Sequence, residues 1–289
     1  MTTFIQIIYS IIIGAVQGIA EWLPISSKTQ VLVTATYLLN LTYSQAYAFG
    51  LFMEIGSTLA AIIYFRRELW SLVQVLLGSK DTAKRKLFVY VVTTIVFTGI
   101  IGAPLYIFAD SLTAIPIWLP MMVIGLVLLA DAVFIRYSRK KQAQGQNTRK
   151  LDNLSFKEYV LVGIAQGIAA LPGVSRSGIT TSTLLLMKVG ADEAFRLSFV
   201  IGIFASLAAS ALALIATKTN VSAAVAGIGV TVGVLIAIAT ATVVSLLVIN
   251  FLLKIAKSSK IVYLTAALGL IALGSSLVYL ALGVGAALG

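Results

Sequence analysis

Two stretches of the chain are near copies of each other: residues 14–28, GAVQGIAEWLPISSK, and residues 163–178, GIAQGIAALPGVSRSG. Each stretch runs from apolar residues through Gln-Gly-Ile-Ala to a proline, and then to hydroxyl side chains beside a cation. The sequence around them is strongly apolar. Because polar and charged groups are costly in lipid, a duplicated polar cluster at membrane depth is a candidate functional site.

The composition is that of a helical membrane protein with many crossings. Hydrophobic residues make up 60% of the chain and charged residues 11%, whereas soluble domains have about 25% charged residues. The apolar runs are long and continuous, which predicts helices rather than the alternating strands of an outer-membrane barrel. The sequence contains no histidine, and this excludes a phosphohistidine intermediate, an imidazole base and histidine metal ligands.

Six apolar segments are long enough to span a membrane, since each covers roughly 30 Å at about 1.5 Å per residue. They lie near 45–65, 87–108, 116–135, 193–216, 222–253 and 261–285. The apolar stretches on either side of Pro24 and Pro172 are shorter. Because proline interrupts a helix, we expect each of these two regions to be a re-entrant pair of short helices that enters and leaves by the same membrane face.

The lysines and arginines predict the orientation of the chain. Loops 66–86, 136–157 and 254–260 are rich in both residues, whereas loops 109–115 and 217–221 carry at most one. The positive-inside rule places the three basic loops in the cytoplasm and both termini outside, with the site open to the outer face of the plasma membrane. The net charge of +11 is then a topology signal, and we expect no nucleic-acid binding.

The similarity between the two halves extends beyond the motifs. Residues 57–61 resemble residues 205–209 at an offset of 148 residues, which the two motif prolines share. Each half would hold one re-entrant pair and three spans, and an odd number of spans inverts the second copy. We therefore predict an all-α polytopic membrane protein with a single membrane domain, built from two inverted repeats at 1–148 and 149–289. Such repeats usually place the site where the copies meet.

Two carboxylates stand out in the first half. Glu21 ends the first short helix, and Gln17 lies four residues earlier on the same face. A carboxylate at membrane depth costs about 2.5–3.5 kcal/mol, so Glu21 is either a functional acid or a structural hydrogen-bond partner, and Gln17 can also simply bond across helices. Glu54 is either a second functional carboxylate, for a divalent cation, or a buried hydrogen-bond partner.

The strongest signal is PGVSRSGIT at residues 172–180. Its glycines let backbone amides approach a ligand, and Arg176 presents a fork of N–H donors that matches phosphate oxygens. The helix that follows adds its N-terminal dipole. With Lys28 as the counterpart of Arg176, two cationic turns and one carboxylate favour a diphosphate site over a site for a monovalent ion. A flexible surface turn would leave Arg176 unexplained. The candidate diphosphate contacts are Ser26, Lys28, Gly173, Ser175, Ser177 and Thr180.

Together the two motifs resemble those of the undecaprenyl-diphosphatase family of the bacitracin-resistance type, and the resemblance covers nearly the whole chain. It implies an integral membrane phosphatase that removes the terminal phosphate from an undecaprenyl-type diphosphate and regenerates the monophosphate carrier of cell-wall or surface glycans. The family's (Glu/Gln)-x-x-x-Glu motif falls on Gln17 and Glu21. The resemblance also implies a divalent cation, Mg²⁺ or Ca²⁺, with Glu21 and Glu54 as candidate ligands.

Two departures from the family pattern lie just after the first motif. The family commonly has a histidine where this chain has Gln30, and Thr-Gly where it has Lys28-Thr29. Gln30 can hydrogen-bond a phosphate but cannot shuttle a proton near pH 7, whereas Lys28 adds a charge. We therefore expect a distant branch of the family, with altered activity if the histidine is an obligatory acid or base.

Two nucleophiles remain open: Ser27, or a water held by Glu21. Glu21 would act as a base or hold the cation, with Gln17 orienting it and Arg176 binding the phosphates. The alternative function is a transporter or flippase of a polyprenyl-phosphate lipid or anionic solute, because inverted repeats and broken helices also serve alternating access. A purely structural scaffold would leave Arg176 and Glu21 unexplained. Besides the lipid substrate, the expected partners are membrane lipids and a second copy in a homodimer.

Overall fold

The computed structural model describes residues 4–23, 27–41, 43–107, 118–142, 149–171, 174–216, 222, 225–226, 232–256, 258 and 260–281. The α-helices are α1 (Phe4–Ala20), α2 (Ser27–Leu39), α3 (Tyr43–Tyr64), α4 (Arg66–Leu76), α5 (Thr82–Ile107), α6 (Trp118–Gln142), α7 (Phe156–Ile168), α8 (Arg176–Leu186), α9 (Ala191–Ala216), α10 (Val232–Ala256) and α11 (Lys260–Ala281). A 3-10 helix, Leu151–Asn153, precedes α7. Over these ranges there is no β-strand, only one bridge between Arg149 and Val189. The predicted all-α class is confirmed.

Several helices are long and apolar enough to cross a membrane. Four stretches qualify by length and composition: Thr82–Leu105 in α5, Ala191–Ala211 in α9, Val232–Ile255 in α10 and Val262–Ala281 in α11. A fifth crossing is added if α3 and α4, which are bent by 76° from each other, form one broken span. These helices coincide with five of the six predicted spans, and α6 covers the position of the sixth.

The many cations of residues 66–86 predicted a loop, but the structure shows that most of this segment is helical. They contain α4 and the first turn of α5. Gly78, at φ +94°, follows the end of α4, where the Ser79 N–H donates to the Gln74 carbonyl at 2.9 Å. Arg66, Arg67, Trp70 and Leu76 of α4 are all exposed, so this helix presents both basic and apolar side chains on its surface. The sequence analysis used the cations of this segment only to predict orientation, and it therefore missed the helix.

The described chain forms two compact units. The first unit comprises Met1–Tyr64 and Ile203–Phe251, and the second comprises Phe65–Gly202 and Leu252–Gly289. Each unit therefore takes helices from both sequence halves.

Glycines of the first motif pack α1 closely against α10 in the first unit. A Cβ at Gly14 would lie 2.4 Å from the Ala237 carbonyl oxygen, and one at Gly18 would lie 2.9 Å from the Ala241 carbonyl oxygen. Small residues allow this approach, which is a common way for helices to associate in membranes. These two glycines therefore serve helix packing.

The corresponding glycines of the second motif do the same in the second unit. A Cβ at Gly163 would lie 2.7 Å from the Thr94 carbonyl oxygen of α5, and one at Gly167 would lie 2.6 Å from the Ile101 Cβ. The two copies of the motif therefore keep the same backbone packing although their polar residues differ.

Arg149 links the start of α7 to the end of α8. Its guanidinium donates to both carboxylate oxygens of Glu158, at 2.6 and 2.9 Å, and to the Met187 carbonyl at 3.1 Å. Because Glu158 is in the first turn of α7 and Met187 follows α8, the start of α7 lies beside the end of α8, and the two helices form a hairpin. The Arg149 hydrogen bond lowers the pKa of Glu158 to about 2, and hydrogen bonds from Ser155 add to the effect.

Candidate functional site

The break after α1 builds a buried hydrogen-bond chain in the first unit. The Ser27 hydroxyl donates to Glu21 Oε2 at 2.7 Å, and the Gln17 amide donates to the same oxygen at 2.9 Å. Glu21 lies just beyond α1 and Ser27 opens α2, so the interruption between the helices brings them together. All three side chains are buried, with Gln17 fully inaccessible. The predicted Gln17–Glu21 pair on one helix face is confirmed.

Ser57 of α3 extends this chain. Gln17 Nε2 also donates to Ser57 Oγ at 3.1 Å, and the Ser57 hydroxyl donates to the Glu54 carbonyl oxygen at 3.0 Å. Ser57 was visible in the sequence only as part of the repeat, with nothing to indicate its contact with a residue 40 positions away. Gln17 thus both orients Glu21 and bonds to another helix, so the functional and the structural interpretation of this residue are compatible.

The arrangement places a nucleophile candidate against a base candidate. A serine hydroxyl that donates to a carboxylate, itself oriented by a third group, is the usual geometry of an activated nucleophile. Gln17 Oε1, on the same amide, is buried and has no hydrogen-bond partner among the described residues. It therefore presents an oxygen next to the Glu21 carboxylate, and amide and carboxylate oxygens are suitable ligands for hard cations.

The second motif forms the N-terminus of α8 in the second unit. Ser175 caps this helix, because its hydroxyl accepts from the Gly178 N–H at 3.2 Å. Ser175 and Ser177 share a hydrogen bond of 3.3 Å, and Arg176 is the first residue of the helix. The helix was expected just after the motif, but the motif itself makes the first turn. The cation and the hydroxyls therefore lie where the helix dipole favours an anion.

Thr180 lies one turn further into α8 and is fully buried. Its hydroxyl donates to the Arg176 carbonyl at 2.7 Å and is in hydrogen-bond contact with Ser198 of α9. Ser198 is a residue that the sequence motifs did not indicate, since it lies outside both of them. Thr180 ties the start of α8 to α9 and so supports Arg176.

Arg176 runs along α9. A Cβ placed at Gly202 would lie 3.9 Å from Arg176 Nε, so this position of α9 faces the guanidinium group. Arg176 is partly buried.

The remaining predicted residues divide into two groups. Lys28 and Glu54 are buried in the first unit, at 8% and 2% exposure, and Gln30 is partly buried. Ser26 and Gly173 lie outside the described residues. Over the described ranges no group of three or more His, Cys, Asp or Glu side chains could hold a metal ion. Any cation here would therefore need ligands of other kinds as well.

Residues 10–273 match the sequence model of the family described as "Bacitracin resistance protein BacA". The matched range contains both motifs. The chain belongs to this family. It is a multi-pass membrane protein, as its apolar helices indicate.

Relatives agree with the assignment to the BacA family. Over 259 residues the chain is 47% identical to the "Undecaprenyl-diphosphatase" of Saccharolobus islandicus, which covers 89% of this chain and 91% of the relative. It is 45% identical over 272 residues to the protein of the same name from Saccharolobus solfataricus, covering 94% and 96%. A third protein of this name, from Pyrobaculum aerophilum, is 39% identical over 274 residues, which cover 92% of this chain and 96% of the relative. The predicted family is confirmed.

Proposed function

We propose that this chain is an enzyme that hydrolyses undecaprenyl or a related polyprenyl diphosphate to the monophosphate carrier and inorganic phosphate. The observation that carries the proposal is the buried hydrogen bond of 2.7 Å from Ser27 to Glu21, oriented by Gln17. The family membership and the names of relatives that cover 89–94% of the chain support it. The bare fold would also suit a transporter, but none of these relatives is named as one.

Ser27 is the nucleophile that the hydrogen bond favours. Its Oγ would bond to the terminal phosphorus while the bond from that phosphorus to the bridging oxygen breaks. Glu21 would take the serine proton and pass it to the departing polyprenyl monophosphate. Water would then attack the phosphoserine and give its proton through Glu21 back to Ser27 Oγ, which releases inorganic phosphate. The alternative, direct attack by a water held by Glu21, needs no phosphoserine.

The diphosphate would be bound by the N-terminal turn of α8. Arg176 supplies the N–H fork and a charge that is present at every physiological pH. Hydrogen-bond donors aimed at phosphoryl oxygens stabilise the charge that shifts toward the leaving oxygen. The further contacts in the proposed set are Ser26, Lys28, Gln30, Gly173, Ser175, Ser177 and Thr180.

A divalent cation, Mg²⁺ or Ca²⁺, is part of the proposal. The residues fit such an ion, because the buried Gln17 Oε1 lies next to the Glu21 carboxylate and Mg²⁺ is usually held by one or two carboxylates together with substrate phosphates. Gln17 and Glu21 would hold it, with Glu54 as a further candidate. When bound, the ion would polarise the phosphoryl oxygens.

The membrane arrangement proposed with this function has six spans and two re-entrant pairs in inverted repeats, in the plasma membrane with both termini outside. In its support, α2 and α3 recur as α8 and α9 at the 148-residue offset, to within a few residues at each end. A homodimer remains a prediction.

Phosphate release from detergent-solubilised protein tests the proposal. With polyprenyl diphosphate and Mg²⁺ or Ca²⁺, an enzyme releases phosphate without a sealed membrane, whereas a transporter leaves the diphosphate intact. Ser27→Ala should lower the rate by at least about 10³-fold if Ser27 is the nucleophile. Ser10→Ala is the matched control, because Ser10 is another buried serine of the same unit and bonds to its own helix at Gln6. No release by the wild type at any chain length would overturn the proposal.

A further inference from the structure

The first unit buries an unusual set of charges. Residues 1–64 contain three charged side chains, Glu21, Lys28 and Glu54, and residues 203–251 add only Lys218, which lies outside the described residues. Glu21, Lys28 and Glu54 are 6%, 8% and 2% exposed. A buried ammonium group is strongly destabilising unless a carboxylate compensates it. Lys28 therefore needs one of the two glutamates.

The packing of α2 on α3 brings the backbone of Lys28 against the face that carries Glu54. A Cβ at Gly50 would lie 3.3 Å from the Lys28 carbonyl oxygen and 3.5 Å from the Lys28 Cα. Glu54 is four residues after Gly50 and so lies on the same face of α3, one turn away. The other glutamate, Glu21, already accepts hydrogen bonds from Ser27 and Gln17.

The second unit gives a matched comparison. At the 148-residue offset, Lys28 corresponds to Arg176 and Glu54 corresponds to Gly202. In the second unit the Cβ position of Gly202 lies 3.9 Å from Arg176 Nε. The position equivalent to Glu54 thus faces the cation equivalent to Lys28. If the first unit repeats this contact, the Glu54 carboxylate lies beside Lys28, at the place where the second unit has a glycine.

We propose that Glu54 is the buried counter-ion of Lys28, and that the glycine at position 202 adds no carboxylate that would compete with the diphosphate for Arg176. Lys28 then contributes N–H donors and position but no net charge, and Glu54 serves as its partner rather than as a ligand of the divalent cation. The carboxylate at 54 also explains how this chain accommodates a lysine at a buried position. The part that concerns the diphosphate rests on the proposed function, whereas the ion pair itself does not.

A double-mutant cycle on the unfolding midpoint in detergent tests the ion pair. Lys28→Thr and Glu54→Gln should each lower the midpoint by about 5–10 °C, because each leaves a buried charge alone. The double variant should recover at least half of the combined loss. If Glu54→Gln does not fold by itself, adding it to Lys28→Thr should still raise the midpoint of that variant. If the losses in unfolding midpoint of the two single variants simply add in the double variant, the proposed ion pair is wrong.

A matched cycle controls for general destabilisation. Glu68 pairs with Arg196 in the second unit, at 3.2 Å, so Glu68→Gln should add to Lys28→Thr without recovery. Recovery in this cycle as well would show that the effect is not specific to Glu54, and would also overturn the pair.

Transplanting the carboxylate tests the role of the glycine. Gly202→Glu should raise the KM for the diphosphate and lower kcat/KM at least 100-fold, because the new carboxylate competes for Arg176. Gly202→Gln, of the same size, should lose much less, and Gly202→Ala should stay within threefold of wild type, since its Cβ makes only an ordinary contact. Equal losses for the glutamate and glutamine variants would overturn the charge argument. A wild type without phosphatase activity would contradict only the proposed function. The unfolding experiments would still test the Lys28–Glu54 ion pair.

Discussion

The two copies of the motif share a backbone plan and divide the chemistry between them. In both copies, glycines let a short helix pack closely on a long one, at Gly14 against α10 and at Gly163 against α5. In the first copy the break after α1 carries a carboxylate, at Glu21, where the second copy has Ala170. In the second copy the break opens a capped helix that begins with Arg176. The two copies thus repeat one packing arrangement and each carries a cation, Lys28 or Arg176, but only the first carries a carboxylate.

The two glutamines at the same motif position show the difference most directly. Gln17 donates to Glu21 and to Ser57, whereas Gln166 donates to Thr98 Oγ1 of α5 at 3.0 Å. Each leaves its amide oxygen buried without a partner in the described parts of the chain. Both glutamines therefore bond to a neighbouring helix, but only Gln17 also orients a candidate base.

The largest effect is expected from the cationic copy. Arg176→Ala should lower kcat/KM for polyprenyl diphosphate by about 10³-fold, because the phosphates lose their charged N–H fork. Arg176→Lys should recover only part of it, since lysine lacks the fork. Lys254→Ala, which removes an exposed cation at the end of α10, is the control and should change little. Unchanged phosphate release in Arg176→Ala would contradict the assignment of this copy to phosphate binding.

The glutamine pair gives the next effect. Gln17→Ala should lower kcat by about 10–100-fold, the usual cost of losing a group that orients a reacting side chain. Gln17→Glu should retain more activity than Gln17→Ala, because it keeps an oxygen ligand of the same length for the proposed cation. Gln166→Ala should cost less than threefold in kcat when measured in the same phosphate-release assay. Similar losses in the two alanine variants would show that the copies are not functionally distinct.

The shared backbone plan predicts matched losses of stability. Gly14→Ala and Gly163→Ala should each destabilise the fold by about 1–3 kcal/mol, because the added Cβ meets a backbone carbonyl of the neighbouring helix. The unfolding midpoint in detergent measures this loss. Gly99→Ala, on α5, is the control, since a Cβ there meets nothing within 4 Å. A loss at only one of the two motif glycines would break the equivalence of the two scaffolds.

The smallest effect is the pH dependence of the stabilisation that the Arg149–Glu158 ion pair provides at the start of α7. Arg149 lowers the pKa of Glu158 from its ordinary 4.5 to about 2. A depressed folded-state pKa stabilises the protein above the ordinary value, and this stabilisation is lost as the pH falls from about 4.5 to about 2. Glu158→Gln should therefore lower the unfolding midpoint near pH 7 by a few degrees at most, and the difference from wild type should shrink below pH 4.5.

The exposed Asp152 supplies the comparison for this measurement. Its side chain is 62% exposed beside Lys86, so Asp152→Asn should leave the midpoint nearly unchanged at pH 7. A Glu158→Gln difference that is constant from pH 7 to pH 3 would contradict the role assigned to ionised Glu158.

Much of this protein could be predicted from residues that are neighbours in the chain. The apolar runs predict the helices, and the two motifs indicate the family and the candidate site residues, because hydrophobic period, proline breaks and short spacings are local properties. The Gln17–Glu21 contact was predictable for the same reason, since four residues make one helical turn. The helix α4 could have been found by testing residues 66–76 for helical period as well as for charge.

The rest was decided by how the helices pack. Ser57 contacts Gln17 from 40 residues away, and Ser198 contacts Thr180 from 18 residues away. Nothing near either serine in the sequence marks it as the partner of a predicted site residue. The division into two units that each mix both halves, and the facing of position 202 toward Arg176, likewise depend on helix–helix contacts. Local sequence sets what each helix can offer, whereas only close packing of distant segments determines which buried polar groups satisfy one another.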